Sequence, residues 1–210
     1  MARSTDPSCR LCRRVGEKLF LKGARCLGPK CAVDKRGTPP GMHTLRKRKR
    51  KLSDRGLQLR EKQKARYIYE VLERQFRRFF EEASKAPGAT GETLLQLLER
   101  RLDSVVYRLG FAESRAQARQ IVHHGHIQLR GRRTDVPSCL VEIGDVISFW
   151  EASRDTRFYK ALKENPPSRP VPAWLSRDGE RLEGKVLAMP SRSDIEISIN
   201  EKAIVEYYAR

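Results

Sequence analysis

The chain has 210 residues, enough for one or two domains with cores of their own, and the regular recurrence of Leu, Ile, Val and Phe excludes a disordered composition. Lys and Arg outnumber Asp and Glu by 44 to 26, and the net charge of +18 implies a polyanionic partner, nucleic acid before an anionic membrane surface. No stretch approaches the roughly 18 apolar residues of a membrane span, and the N-terminus lacks the apolar core of a secretory signal, so no membrane is expected and the compartment expected is the cytoplasm.

The charge is lopsided. Residues 1–80 carry 24 Lys and Arg against 7 Asp and Glu, whereas residues 81–210 carry 20 against 19. A solubilising surface needs no such concentration, so the first two-fifths of the chain is the expected polyanion-binding part.

Within it, Cys9, Cys12, Cys26 and Cys31 follow the pattern C-x2-C-x13-C-x4-C. Zinc favours tetrahedral thiolate ligation, and a C-x-x-C pair lets two sulfurs grip one ion from a tight turn. The second pair lies in the Gly/Pro loop from Gly23 to Pro29, which can fold back on the first, and the surrounding Lys and Arg favour the thiolate. One structural Zn2+ is therefore expected; the alternatives are two disulfides, which a reducing compartment disfavours, or four unliganded thiols. Four thiolates leave no open coordination position for catalysis, so the ion would fold a basic segment too poor in apolar residues to fold alone. Cys139, beside Leu140 and Val141, reads as a small packed residue.

A loop at residues 36–41 leads to Arg46, Lys47, Arg48, Lys49, Arg50 and Lys51, six cations without an intervening acid. Such a run repels itself and suits phosphate binding. Residues 56–82 predict one long amphipathic helix, with Ala65, Ile68, Leu72, Phe76 and Phe79 as its buried stripe and Lys62, Lys64, Arg66, Arg74, Arg77 and Arg78 mostly off it. A break at residues 87–91 precedes a helix over about 92–109, with Leu94, Leu98, Leu102, Val105 and Leu109 inward and Gly110 closing it. Ser114 opens the next helix, with Gln117 placed for a capping box and Ala118, Ile121 and Val122 facing inward. Arg115, Arg119 and His123 fall at i, i+4 and i+8 and are predicted to project outward together.

Alternation over residues 126–130 predicts a strand, with Gly131 at the turn and Arg132 and Arg133 at its tip. Leu140 to Ile143 and Val146 to Phe149 predict two strands joined at Gly144-Asp145. Arg115, Arg119, Arg130, Arg132 and Arg133 would then surround one concave corner suited to the backbone of folded RNA; the bland alternative is a solvated charged face. Residues 151–163 read as a helix, the segment through Pro170, Pro172 and Trp174 as an irregular connection, Ile195, Ile197 and Ile199 as a strand, and Asn200 as the cap of a terminal helix.

The chain lacks the GxxxxGK[ST], GxGxxG-after-strand and HExxH patterns, and no Ser, Cys or Asp sits in a recognisable nucleophile setting. No enzyme activity is expected. The cluster His123, His124 and His126 suits phosphate or solvent better than metal.

The stretch RLDSVVYRLGF at residues 101–111, followed by SRAQARQ at 114–120, resembles the alpha-L RNA-binding domain. That domain also occurs in pseudouridine synthases and in one aminoacyl-tRNA synthetase. Leu59 to Lys64, Tyr69 to Phe76, Arg192 to Asp194, Ile199 to Glu201 and Ile204 to Glu206 are similar to the bacterial small-subunit ribosomal protein four family, and the N-terminal cysteines to its zinc-bearing variety. The resemblance implies an α+β fold with a zinc-bound N-terminal segment at 1–45 and a helical domain at 46–90 joined by the C-terminal helix 200–210. An inserted alpha-L domain of two helices and a small antiparallel sheet, with an extension, would fill 91–199. It further implies a structural constituent of the small ribosomal subunit that binds the 5′ domain of 16S rRNA early in assembly, contacts ribosomal protein five in support of decoding accuracy, and lines the mRNA entry pore with its basic run. The competing possibility is an RNA-modifying enzyme that uses an alpha-L domain as a handle, for which only about 60 residues remain after that block.

Overall fold

Side-chain caps set four of the helix starts among the described residues. In the computed structural model, which describes residues 6–41, 52–165, 169–196 and 198–209, the helices are α1 Ser8–Val15, α2 Ala24–Leu27, α3 Ala32–Lys35, α4 Asp54–Ile68, α5 Glu73–Lys85, α6 Thr90–Glu99, α7 Leu102–Arg108, α8 Arg115–His123, α9 Arg157–Glu164 and α10 Glu201–Tyr208. The strands are β1 Ile127–Leu129, β2 Arg132–Thr134, β3 Val146–Phe149, β4 Leu175–Asp178 and β5 Glu183–Val186. Side-chain oxygens of Ser53, Ser114, Thr156 and Asn200 accept backbone N–H bonds at the starts of α4, α8, α9 and α10, satisfying donors that a helix start leaves open. No helix among the described residues is long and apolar enough to cross a membrane.

Two compact units divide the chain, residues 1–94 with 197–210, and residues 95–196. In the first, α10 packs along α4, where Gln58 Nε2 donates to Glu206 at 2.8 Å and Tyr208 stacks on Phe80 at 4.5 Å between centroids. The single helix predicted over 56–82 is two helices. Ile68 and Leu72 keep helical spacing, but Glu70 takes a left-handed φ of 52° and Leu72 is extended, so Val71 goes inward and Leu72 is left half-buried. No Gly or Pro marks this break.

The second unit carries the mixed α and antiparallel-β architecture expected for it. Its five-stranded sheet has the order β2-β1-β3-β5-β4, all neighbours antiparallel. β1 and β2 form a hairpin whose turn residues, Arg130 and Gly131, have φ of 53° and 74°, the left-handed pair that a tight two-residue turn requires. One sheet face, with Ile127, Leu129, Ile147 and Phe149, packs on Leu102, Val105, Val106 and Leu109 of α7 and its C-terminus and on Ala118, Ile121 and Val122 of α8. Half-buried Cys139 packs against this core as a small side chain should.

Three predictions for this unit need correction. The helix over 92–109 is interrupted at residues 100–101, where the extended Arg101 bridges Leu140 and Leu102 N donates to Cys139 O. Leu140 and Val141 therefore pair with the interhelix link, and residues 140–143 form no hairpin with β3. Finally, β4 and β5 occupy part of what read as irregular chain, while the described residues around Ile195 and Ile199 form no strand.

Candidate nucleic-acid interface

A cation buried against an internal carboxylate offers less to a polyanion than one whose charge faces solvent. Arg115, Arg119 and His123 do share one face of α8, but that face turns inward over its first two turns. Arg119 is 6% exposed and donates to Asp103 at 3.2 Å; Arg115 donates to Glu99 at 3.2 Å and stacks 4.5 Å from the centroid of Tyr107. Arg101, fully buried, makes a two-pronged contact with the same Asp103 at 3.0 and 2.6 Å, and Arg108 grips Glu99 at 2.9 and 2.8 Å. Two carboxylates four residues apart thus meet two α8 arginines four residues apart, each pair separated by 16 positions. The predicted outward projection of Arg115 and Arg119 is therefore corrected: they lock α8 onto the preceding helices.

Other predicted cations are likewise engaged. The Arg130 guanidinium binds Asp145 and Glu142, which holds its charge even more firmly than usual, through the bond to Asp145 first. Lys62 and Lys64, placed mostly off the buried stripe by sequence, are 3% and 4% exposed and pair with Glu73 at 2.7 Å and Glu17 at 2.5 Å. Lys62 also lies 5.0 Å from the centroid of Tyr207. Long stems allow such lysines to fill apolar space while their heads reach a carboxylate. The run Arg46, Lys47, Arg48, Lys49, Arg50 and Lys51 lies outside the described residues.

What remains exposed forms a coherent patch on the second unit. Arg132 and Arg133 sit on the edge strand β2, and Arg133 Nε donates to Gly125 O at 3.0 Å just past the C-terminus of α8, where carbonyls favour a cation. His123 and His124, both exposed, stand at that same helix end. Next to them, burial first, then His124 and Arg133, push the His126 imidazole below its ordinary value; its Nδ1 lies 3.0 Å from Ser153 Oγ. Edge-strand arginines and helix-end histidines thus offer donors to phosphate oxygens. In the first unit, Lys22, Arg25, Arg74 and Arg78 are exposed and have no carboxylate partner among the described residues. The sequence reading does not single out these four as site residues, although the opposition of Arg74 and Arg78 to the Phe76 and Phe79 side of α5 is a signal that marks them.

The four N-terminal cysteines share one pocket with Leu19, Leu21 and Val33. Cys9 and Cys12 lie on α1, one helical turn apart, not on a tight turn; Cys26 lies on α2, and Cys31 precedes α3. Lys22 N donates to Cys26 Sγ at 3.3 Å, a bond that supports a sulfur ligand. Burial pushes the Cys12 thiol up, with the other three sulfurs adding to it, so the neighbouring cations do not prevail there. The donor chemistry suits a thiolate-held ion, although no three His, Cys, Asp or Glu among the described residues stand close enough to hold a metal.

Residues 3–99 match the ribosomal protein S4/S9 N-terminal domain and residues 100–147 the S4 domain, which makes this an S4-domain protein. Over 210 residues, with the whole of both chains covered, it is 56% identical to small ribosomal subunit protein uS4 of Acetivibrio thermocellus and 54% to that of Halothermothrix orenii. It is also 56% identical to small ribosomal subunit protein uS4A of Symbiobacterium thermophilum, again over both full chains. The chain belongs to the small ribosomal subunit protein uS4 family.

Proposed function

We infer that this chain is a structural constituent of the small ribosomal subunit, working on the ribosome in the cytoplasm, where it holds its place by binding ribosomal RNA. Full-length identity to relatives named uS4 carries this reading. The family is structural and non-enzymatic, and nothing supports the RNA-modifying enzyme considered as an alternative. The exposed cations supply the physical means: each phosphate neutralised releases counterions, so binding depends steeply on salt.

The finer assignment is that the chain binds the 5′ domain of 16S rRNA, touches ribosomal protein five, and presents Arg46 to Lys51 to mRNA near the entry pore. It is supported by the family resemblance and by the density of cations in residues 1–80. Affinity of the full chain for a 5′-domain transcript is expected to fall by about three to five decades between 50 and 200 mM salt, the range for some six to ten phosphate contacts. A flat response in a filter-binding salt series would reject the RNA role.

One structural Zn2+ held by Cys9, Cys12, Cys26 and Cys31 belongs to the same proposal, supported by the shared pocket and the all-thiol donor set. Such an ion ties three short helices together and does no chemistry on substrate. Metal analysis should return one zinc per chain, and chelation should expose residues 6–41 to protease. A metal-free preparation whose N-terminus resists protease equally well would end this part of the proposal.

A further inference from the structure

We propose that Phe20 is a base-stacking residue, presenting its ring to an unstacked nucleotide of the bound RNA; this rests on the rRNA-binding reading above. Leu19 and Leu21 on either side are each 7% exposed, whereas Phe20 between them is 46% exposed. Its φ is +51°, a left-handed conformation that is a genuine outlier for a bulky side chain. If the loop needed only this turn, Gly or Asn would supply it with less strain.

Three other non-glycine residues among the described ones share a left-handed φ, and each has an internal reason. Arg130 sits in the hairpin turn and is ion-paired, Leu182 is fully buried between β4 and β5, and Glu70 forms the break between α4 and α5. Phe20 alone of the four offers apolar surface to solvent. An observed backbone outlier of this kind is ground for a functional inference.

The surroundings select the partner. Phe20 lines the cysteine pocket together with Lys18, Lys22 and Arg25. Lys18 is neutralised by Asp34 at 2.7 Å, while Lys22 and Arg25 are exposed without a carboxylate partner among the described residues. A ring beside two available cations matches a nucleotide, whose base stacks on the ring while its phosphate meets the cations. A protein partner with an apolar knob would have to bring acids into the same space. The charge of the segment favours the nucleic acid. Every base has a π face, so this contact reads an accessible base and not a particular one.

The test uses the full chain and the 16S 5′-domain transcript. Phe20→Ala should weaken binding by about five- to hundredfold with the salt slope unchanged. Phe20→Trp should keep wild-type affinity, and Phe20→Leu, apolar but without a π face, should behave like Ala. Phe20→Gly, which relieves the backbone, should leave the melting temperature equal or higher while weakening binding. Wild-type affinity in Phe20→Ala or Phe20→Leu would overturn the stacking role. So would Phe20→Gly lowering melting temperature and affinity together, which would make the ring a packing residue. Failure of the wild-type chain to show salt-dependent binding would instead defeat the underlying RNA reading.

Discussion

Asp103→Ala is expected to destabilise the 95–196 unit by about 3–5 kcal/mol, the cost of removing one partner from a buried ion pair. Asp103 is 4% exposed, and its two oxygens serve Arg101, Arg119 and the backbone N–H of Ser104. Removing the carboxylate takes away an acid that two buried guanidinium groups share, and a buried charge that loses an opposite partner costs far more than the intact pair contributes. The consequence reverses a simple prediction from the helical wheel. Arg115→Ala with Arg119→Ala is expected to weaken the fold itself, because both guanidinium groups are ion-paired inside the unit and not turned outward. Urea unfolding of Asp103→Ala should show the loss at once, and a change below about 1 kcal/mol, the usual worth of a surface pair, would refute the buried-network account. Replacing Arg101, Asp103 and Arg119 together with apolar residues of similar volume should recover much of the loss, because such swaps of buried ionic groups are often neutral or stabilising.

Gly184→Val should cost about 3 kcal/mol, near the upper end for overpacking a well-filled core. Gly184 lies on β5, paired with Ile147 on one side and Arg177 on the other. A Cβ added there would come within 2.4 and 2.5 Å of the two terminal carbons of Leu109, which is fully buried. The obstacle is the neighbour and not the backbone, so shortening the neighbour should relieve it. Leu109→Ala alone opens a cavity, expected at about 2–5 kcal/mol, yet the two changes together should cost clearly less than their sum. Strictly additive losses in thermal or urea unfolding would show that Leu109 is not the group in the way.

Much of this molecule can be read locally. Ser114, Asn200 and Gly131 mark their helix starts and turn because capping and left-handed turns involve residues within a few positions. Leu94, Leu98, Leu102, Val105 and Leu109 are buried as their spacing predicts, even though Arg100 and Arg101 break the helix beneath them. The break at Glu70 leaves no mark in the sequence for the same reason: periodicity records which face is apolar, and a break that preserves the spacing leaves the pattern intact. β4 and β5 were missed because short strands carrying Ser, Arg, Asp, Glu and Lys have little intrinsic preference and exist through pairing with one another and with β3.

The arginines show where local reading stops. Net charge and its crowding into residues 1–80 follow from composition and point to a polyanion without any coordinates. Whether a given guanidinium faces that polyanion or an internal acid depends on a partner 16 residues away for Arg115 and Arg119, and 15 for Arg130. Burial of an ion is tolerable only when the opposite charge is brought within bonding distance, and that distance is set by how helices and strands pack. The signature RLDSVVYRLGF is therefore explained by packing first: its Arg101, Asp103 and Arg108 are held in buried ion pairs, while Arg132 and Arg133 stay exposed with no acid partner among the described residues.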